Sequence, residues 1–181
     1  MKIASKVKTR ILHTASRLFY QQGYQSTGIN QIIAESEVAK ASFYSHFATK
    51  EDLCATYLSD ESKDWFLALE EQLYDEKSIE EKVGALFDHV IDFHIKEQFR
   101  GCAFLNVQAE IGQSSTKISN EIRTHKTKLL AFFNQLIPDE KKARKIYIIY
   151  EASLMECQVF SDIWPAEQGK ELALEIIKLN Y

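Results

Sequence analysis

Between Gly28 and Phe47 two short apolar rhythms are separated by residues that belong to neither. Ile29, Ile32 and Ile33 put apolar groups on one face of a first helix, at helical spacing. Glu37, Val38, Ala39 and Lys40 break that rhythm, and Val38 is placed to plug the angle between two helices. The run Ala41 to Phe47 restarts it, with Phe43 and Phe47 four apart on the buried side. Lys40, Ala41, Ser42, Tyr44, Ser45 and His46 are left on or near the outward side. The small residues allow close approach, and the others can donate to phosphates or base edges. This pattern predicts a helix-turn-helix over residues 28–47, with a second helix suited to a DNA groove.

The rest of the chain supports a wholly helical fold. Only two Pro and six Gly in 181 residues argue against a β-rich or disordered protein. Helix 1 is expected from about Ser5 to Gln22, buried along Val7, Ile11, Ala15, Leu18 and Phe19 and stopped by Gly23. Thr27 reads as the N-cap of helix 2 and, just ahead of the motif, as a candidate phosphate contact. Thr49 and Asp52 have the spacing of a capping box that opens helix 4, and Ser78 and Glu81 have the same spacing after a polar break at Asp75–Ser78. A mostly apolar segment follows from Cys102 to Ile111, then a long helix from Thr116 to Ile137. Pro138 is expected in the first turn of the next helix, and Trp164–Pro165 at its end, with a last helix from Ala166 to Leu179.

Charge is distributed unevenly along this chain. Residues 1–50 hold seven cations (Lys2, Lys6, Lys8, Arg10, Arg17, Lys40, Lys50) against two acids (Glu35, Glu37). The other residues hold 15 Lys/Arg against 24 Asp/Glu, so a net charge of −4 hides a basic head on an acidic body. That asymmetry is expected when one end meets phosphates.

At Val38 to Leu53, VAKASFYSHFATKEDL, the sequence resembles the signature of TetR-type transcriptional regulators: a Tyr-x-His-Phe ending to the second helix, a short turn, and a Lys-Glu-x-Leu helix start. The resemblance is strong over about residues 5–65 and extends only in length and layout to the end of the chain. It implies an N-terminal three-helix DNA-binding domain over 5–65 and a C-terminal ligand-binding and dimerisation domain over 66–181. It places DNA contacts on Thr27, Lys40, Ala41, Ser42, Tyr44, His46 and Lys50. Tyr44 and His46 would grip phosphates, with Lys40, Ala41 and Ser42 nearest the bases. Three positions depart from the family pattern. Glu37 stands where the turn usually has Gly, Ala39 replaces a Ser/Thr cap, and Ala41 replaces a common Gly.

The implied assembly is a homodimer formed by the last two helices, on a palindromic DNA site. Ile146, Tyr150, Leu154, Cys157, Phe160, Leu172 and Ile176 are the candidate interface, because residues 146–160 are apolar around much of the helix. A small-molecule effector would bind in the body, with Trp65, Phe66, Phe87, His94, Cys102, Asn106, Phe133 and Tyr147 as candidates; each of these also reads as plain core. Cys102 reads either as a thiol sensor or as packing. An adaptor of the same fold that works through protein–protein binding is the alternative reading.

Other classes of function find no support in the sequence. No G-x-S-x-G, P-loop or Gly-rich dinucleotide turn is present, so no enzyme is expected. His89 and His94 are five apart, off the spacing of helical metal ligands, and neither a metal nor a cofactor is expected. Cys54, Cys102 and Cys157 are widely spaced and read as reduced thiols. The start, MKIASKVKTRIL, has no signal-peptide core, and no stretch matches a membrane span; a cytoplasmic location with no membrane partner is expected.

Overall fold

The computed structural model describes the backbone of residues 2–75 and 78–179, with side chains from residue 6 onward. Glu76 and Lys77, in the expected polar break, and the side chain of Lys2 lie outside the described residues. Regular structure among the described residues is helical throughout: α1 (Lys2–Gln22), α2 (Ile29–Glu35), α3 (Lys40–His46), α4 (Lys50–Gln72), α5 (Ile79–Lys96), α6 (Ala103–Ile111), α7 (Thr116–Leu136), α8 (Glu140–Phe160) and α9 (Trp164–Lys178). None of these helices is long and apolar enough to cross a membrane.

Local chemistry sets most helix ends where the sequence puts them. Gly23 adopts φ +95°, and its N–H closes on Phe19 O at 3.1 Å to finish α1. At α4 the Thr49 N–H meets Asp52 Oδ2 at 3.1 Å, and the Asp52 N–H meets Thr49 Oγ at 3.0 Å. Ser78 and Glu81 form the same reciprocal box at α5. Two prolines do otherwise than expected. Pro138 precedes the cap of α8, which is Asp139, whose carboxylate accepts the N–H groups of Lys141 and Lys142 at 2.9 and 3.1 Å. Trp164 and Pro165 open α9 instead of ending α8, because a fixed φ and a missing donor cost nothing in a first turn. Helix α8 ends instead at Ser161, in the left-handed region at φ +51°.

The chain folds into two compact units that are not consecutive in sequence. One comprises Met1–Lys63 with Ala103–Thr124, and the other Asp64–Cys102 with His125–Tyr181. The DNA-binding unit expected to end near residue 65 therefore also takes in α6 and the first turns of α7. Long-range polar contacts hold them there. Glu110 Oε2 accepts the Gln25 N–H at 2.6 Å, Lys117 pairs with Asp52, and the Ser115 hydroxyl donates to Glu51. Ile11, Leu18, Phe19, Phe43, Leu53 and Ile118 are wholly buried in this unit.

The second unit is built on α5, α8 and α9, with the far ends of α4 and α7. Its core includes Val83, Leu86, Phe87, Phe133, Ile146, Tyr150 and Leu154. Gly169 of α9 lets three helices meet: a Cβ there would run into Ser153 Oγ and come within 2.9 Å of Phe87 Cε1.

Candidate nucleic-acid interface

The turn between α1 and α2 is held from inside. Thr27 is fully buried and its hydroxyl donates to Gly23 O at 2.7 Å, while Gly28 is the N-cap of α2 and makes no side-chain cap bond. Thr27 is thus neither the cap nor an exposed donor, because its hydroxyl is spent inside the turn. Lys50 reaches back across the same turn. Its ammonium donates to Tyr24 O at 2.9 Å and Thr27 O at 3.1 Å, and lies 4.4 Å from the centre of the Tyr24 ring. Burial lowers the Lys50 pKa and pushes the Tyr24 hydroxyl up to about 12. A cation at the start of α4, where the helix dipole disfavours one, thus has an internal reason to be there.

The turn between α2 and α3 carries the strain that the sequence announces. Glu37 sits at φ +52°, in the left-handed region where Gly would be at ease. The Arg10 guanidinium of α1 donates to the Glu37 carbonyl, and Arg17 pairs with Glu35 at 2.5 Å. These two α1 arginines, seven apart on its polar side, brace the motif. The sequence reading counted them only as charge.

Helix α3 spans two turns, and the burial of its side chains splits its faces. Phe43 is wholly buried and Phe47 nearly so, their rings 6.3 Å apart, with the Lys8 ammonium 5.8 Å from the Phe47 ring. Lys40, Ala41, Tyr44 and Ser45 are exposed, while Ser42 and His46 are half-buried. The Ser45 hydroxyl is turned back onto Ser42 O at 2.8 Å. Ala39 caps the helix without a side-chain bond, as its methyl group requires. Tyr44 stands edge-on to Phe43 at 5.3 Å, which anchors the ring while the residue remains exposed.

Residues 11–56 match the family model described as "Bacterial regulatory proteins, tetR family". The helix-turn-helix unit is similar to that of the tetR family. It is 55% identical over 47 residues to the uncharacterized HTH-type transcriptional regulator YxaF of Bacillus subtilis (strain 168), a match that covers 25% of each protein. It is 27% identical over 173 residues to the HTH-type transcriptional regulator AcrR of Shigella flexneri, covering 87% of this chain and 80% of that one. A solved TetR-family transcriptional regulator from Streptomyces coelicolor, SCO4454, superposes with a TM-score of 0.81 at 26% identity, over 96% of this chain and 93% of that one. The high-identity likeness thus falls on the helix-turn-helix unit, while the whole-length likeness is one of architecture.

The residues expected to bind a ligand divide between the units. Trp65, Phe66, Phe87, His94, Cys102, Phe133 and Tyr147 belong to the second unit, but Asn106 lies on α6 in the first. Phe87 and Phe133 are wholly buried and pack on Tyr150, at 5.9 and 5.2 Å between ring centres. Phe66 packs on His125 and Phe132. His94 is a latch: its Nε2 donates to Leu154 O at 3.0 Å, tying α5 to α8, and its ring stacks on Phe99. Burial lowers its pKa and keeps the ring neutral. The thiols Cys54, Cys102 and Cys157 are free and buried. Among the described residues no group of three or more His, Cys, Asp or Glu stands together to hold a metal ion.

The expected dimer residues also divide. Ile146, Tyr150, Leu154 and Cys157 are buried in the unit's own core, and Ile176 nearly so, which removes them from an outward face. Phe160 and Leu172 are exposed. Ile148, Met155 and Val159, which were not among the candidates, are exposed along α8 at spacings of seven and four. Three consecutive apolar residues, Ile148, Ile149 and Tyr150, hid which face was which.

Proposed function

We propose that this chain is a ligand-responsive, DNA-binding transcriptional regulator that acts as a homodimer on a palindromic site. The observation that carries the reading is the division of α3: Phe43 and Phe47 fix it to the head, and Lys40, Ala41 and Tyr44 are exposed from the same two turns. A recognition helix needs such a division, with backbone approach at Ala41 and donors on either side. The basic balance of residues 1–50 adds the phosphate attraction. In this reading Lys50 acts on DNA indirectly, by holding the turn ahead of α2. Thr27 acts the same way.

The apolar row Ile148, Met155 and Val159 on α8, with Phe160 and Leu172, is the proposed dimer face. Such a row is costly to leave in water, and a two-fold axis would cover it with its own copy. The names of the relatives favour a transcriptional role over the adaptor reading.

The test is recovery of bound fragments from sheared DNA of the source genome, with purified protein at low and moderate salt. Enrichment of a palindrome with half-sites about one helical turn apart is the expected result. Fragments no more enriched than bulk DNA, alongside salt-insensitive capture of a protein partner, would replace this reading with the adaptor.

A further inference from the structure

In the second unit a cluster of polar atoms is buried without partners. The indole Nε1 of Trp65 on α4, the hydroxyl of Tyr150 and Oε1 of Glu151 on α8 all lack a hydrogen-bond partner within the protein. These groups are neighbours. Trp65 packs against the core that holds Tyr150, Tyr147 packs there too, and Glu151 follows Tyr150 on α8. The other Glu151 oxygen is engaged: Oε2 accepts from Lys126 of α7 at 2.5 Å, with both side chains more than four-fifths buried. Buried polar atoms are almost always paired, since an unpaired one carries the full cost of its lost hydration. Three such atoms from two helices point to an external partner.

The chemistry of that partner follows from the atoms. Trp65 Nε1 can only donate, and Glu151 Oε1 can only accept. Burial, and then the Glu151 carboxylate, push the Tyr150 pKa well above its ordinary value, so the hydroxyl remains a neutral donor. Lys126 and Glu151 cancel each other's charge, so a charged ligand would bring an uncompensated charge into a poorly hydrated site. The rings of Trp65, Phe133 and Tyr147 favour a flat apolar body. We propose that Trp65, Tyr150 and Glu151 form the polar end of an effector site for an uncharged aromatic molecule bearing both an acceptor, such as a ketone oxygen, and a hydroxyl donor. The acceptor takes the Trp65 N–H and Tyr150 O–H, and the hydroxyl donates to Glu151 Oε1. This inference rests on the ligand-responsive reading above and specifies its ligand.

Calorimetric titration of the purified full chain tests it, with para-hydroxyacetophenone as the neutral probe and para-hydroxybenzoate as its anionic counterpart. The ketone is expected to bind and the anion to bind at least roughly tenfold more weakly. Tyr150→Phe and Trp65→Phe are each expected to weaken the ketone by roughly five- to tenfold. Tyr150→Phe should leave the melting temperature of the free chain unchanged or raised, because it deletes a group without a partner; a structural hydroxyl would lower it. Equal binding of the anion, unchanged ketone binding in both variants, or a destabilised Tyr150→Phe chain would each overturn the site. Ketone binding that meets these criteria but leaves operator affinity unchanged upholds the site and overturns the effector reading.

Discussion

The Lys50 ammonium donates to the Thr27 carbonyl at 3.1 Å, across 23 residues of sequence, and to the Tyr24 carbonyl beside it. The first residue of α4 thereby fixes the turn that aims α2. Lys50→Met keeps the aliphatic stem and removes both bonds. It should destabilise the chain by about 1.5–3 kcal/mol, the range for hydrogen bonds to a charged donor, and weaken DNA binding as well. Urea unfolding followed by circular dichroism checks this. Reduced DNA affinity at unchanged stability would restore Lys50 as a direct phosphate contact only.

Glu37 and Ala39 are two places where the head is less stable than its fold allows. Glu37→Gly relieves the residue at φ +52° and should stabilise by about 1 kcal/mol, while Glu37→Ala should not. Ala39→Ser supplies the missing side-chain cap of α3 and should add about 1 kcal/mol. Shifts of the urea midpoint report both. A Glu37→Gly chain that is less stable than the parent would mean that the Arg10 bond to the residue 37 carbonyl depends on the strained geometry.

How much of this the sequence declared depends on the range of each interaction. The boxes at Thr49–Asp52 and Ser78–Glu81 are local, and both form where the spacing predicts. Phe43 and Phe47 face inward because a two-turn helix can bury only one side. The contacts that join α6 and α7 to the head leave no local trace: Gln25 and Glu110 are 85 residues apart, and Asp52 and Lys117 are 65 apart. Lys50 reads as a DNA contact in the sequence because its acceptors are backbone carbonyls, which any sequence possesses and none advertises. On α8, Tyr150 and Ile148 are equally apolar in composition, and only packing separates core from surface.

Acid should weaken the second unit before it touches surface carboxylates. His89, His94 and His125 all have pKa values lowered chiefly by burial, His125 to about 3. Each binds a proton more readily once unfolded, so stability is complete above the unfolded value of 6.5 and falls as pH drops below it. Between about pH 6.5 and 5 His125 alone should cost about 2 kcal/mol. His125→Phe should flatten that slope in urea titrations. A stability constant across this window would contradict the neutral, buried state of these rings.

The outward row on α8 predicts that charge there breaks the assembly and spares the fold. Ile148→Glu with Val159→Glu should yield a monomer by sedimentation, with helix content unchanged. By contrast, Gly169→Ala should lower stability, because its methyl group would strike Ser153 and Phe87 in the core. A doubly substituted chain that remains dimeric would move the interface elsewhere.

The most direct measurement is fluorescence anisotropy of a recovered DNA fragment, titrated with the parent chain, Lys40→Ala and Tyr44→Ala over a range of salt. The exposed face of α3 predicts that each variant loses roughly tenfold or more in affinity while dimerisation and helix content stay intact. It also predicts a log–log salt slope that becomes shallower by about one when Lys40 is removed, the signature of one lost phosphate contact. Two variants that bind like the parent, with an unchanged slope, would contradict the assignment of α3 as the helix that reads DNA.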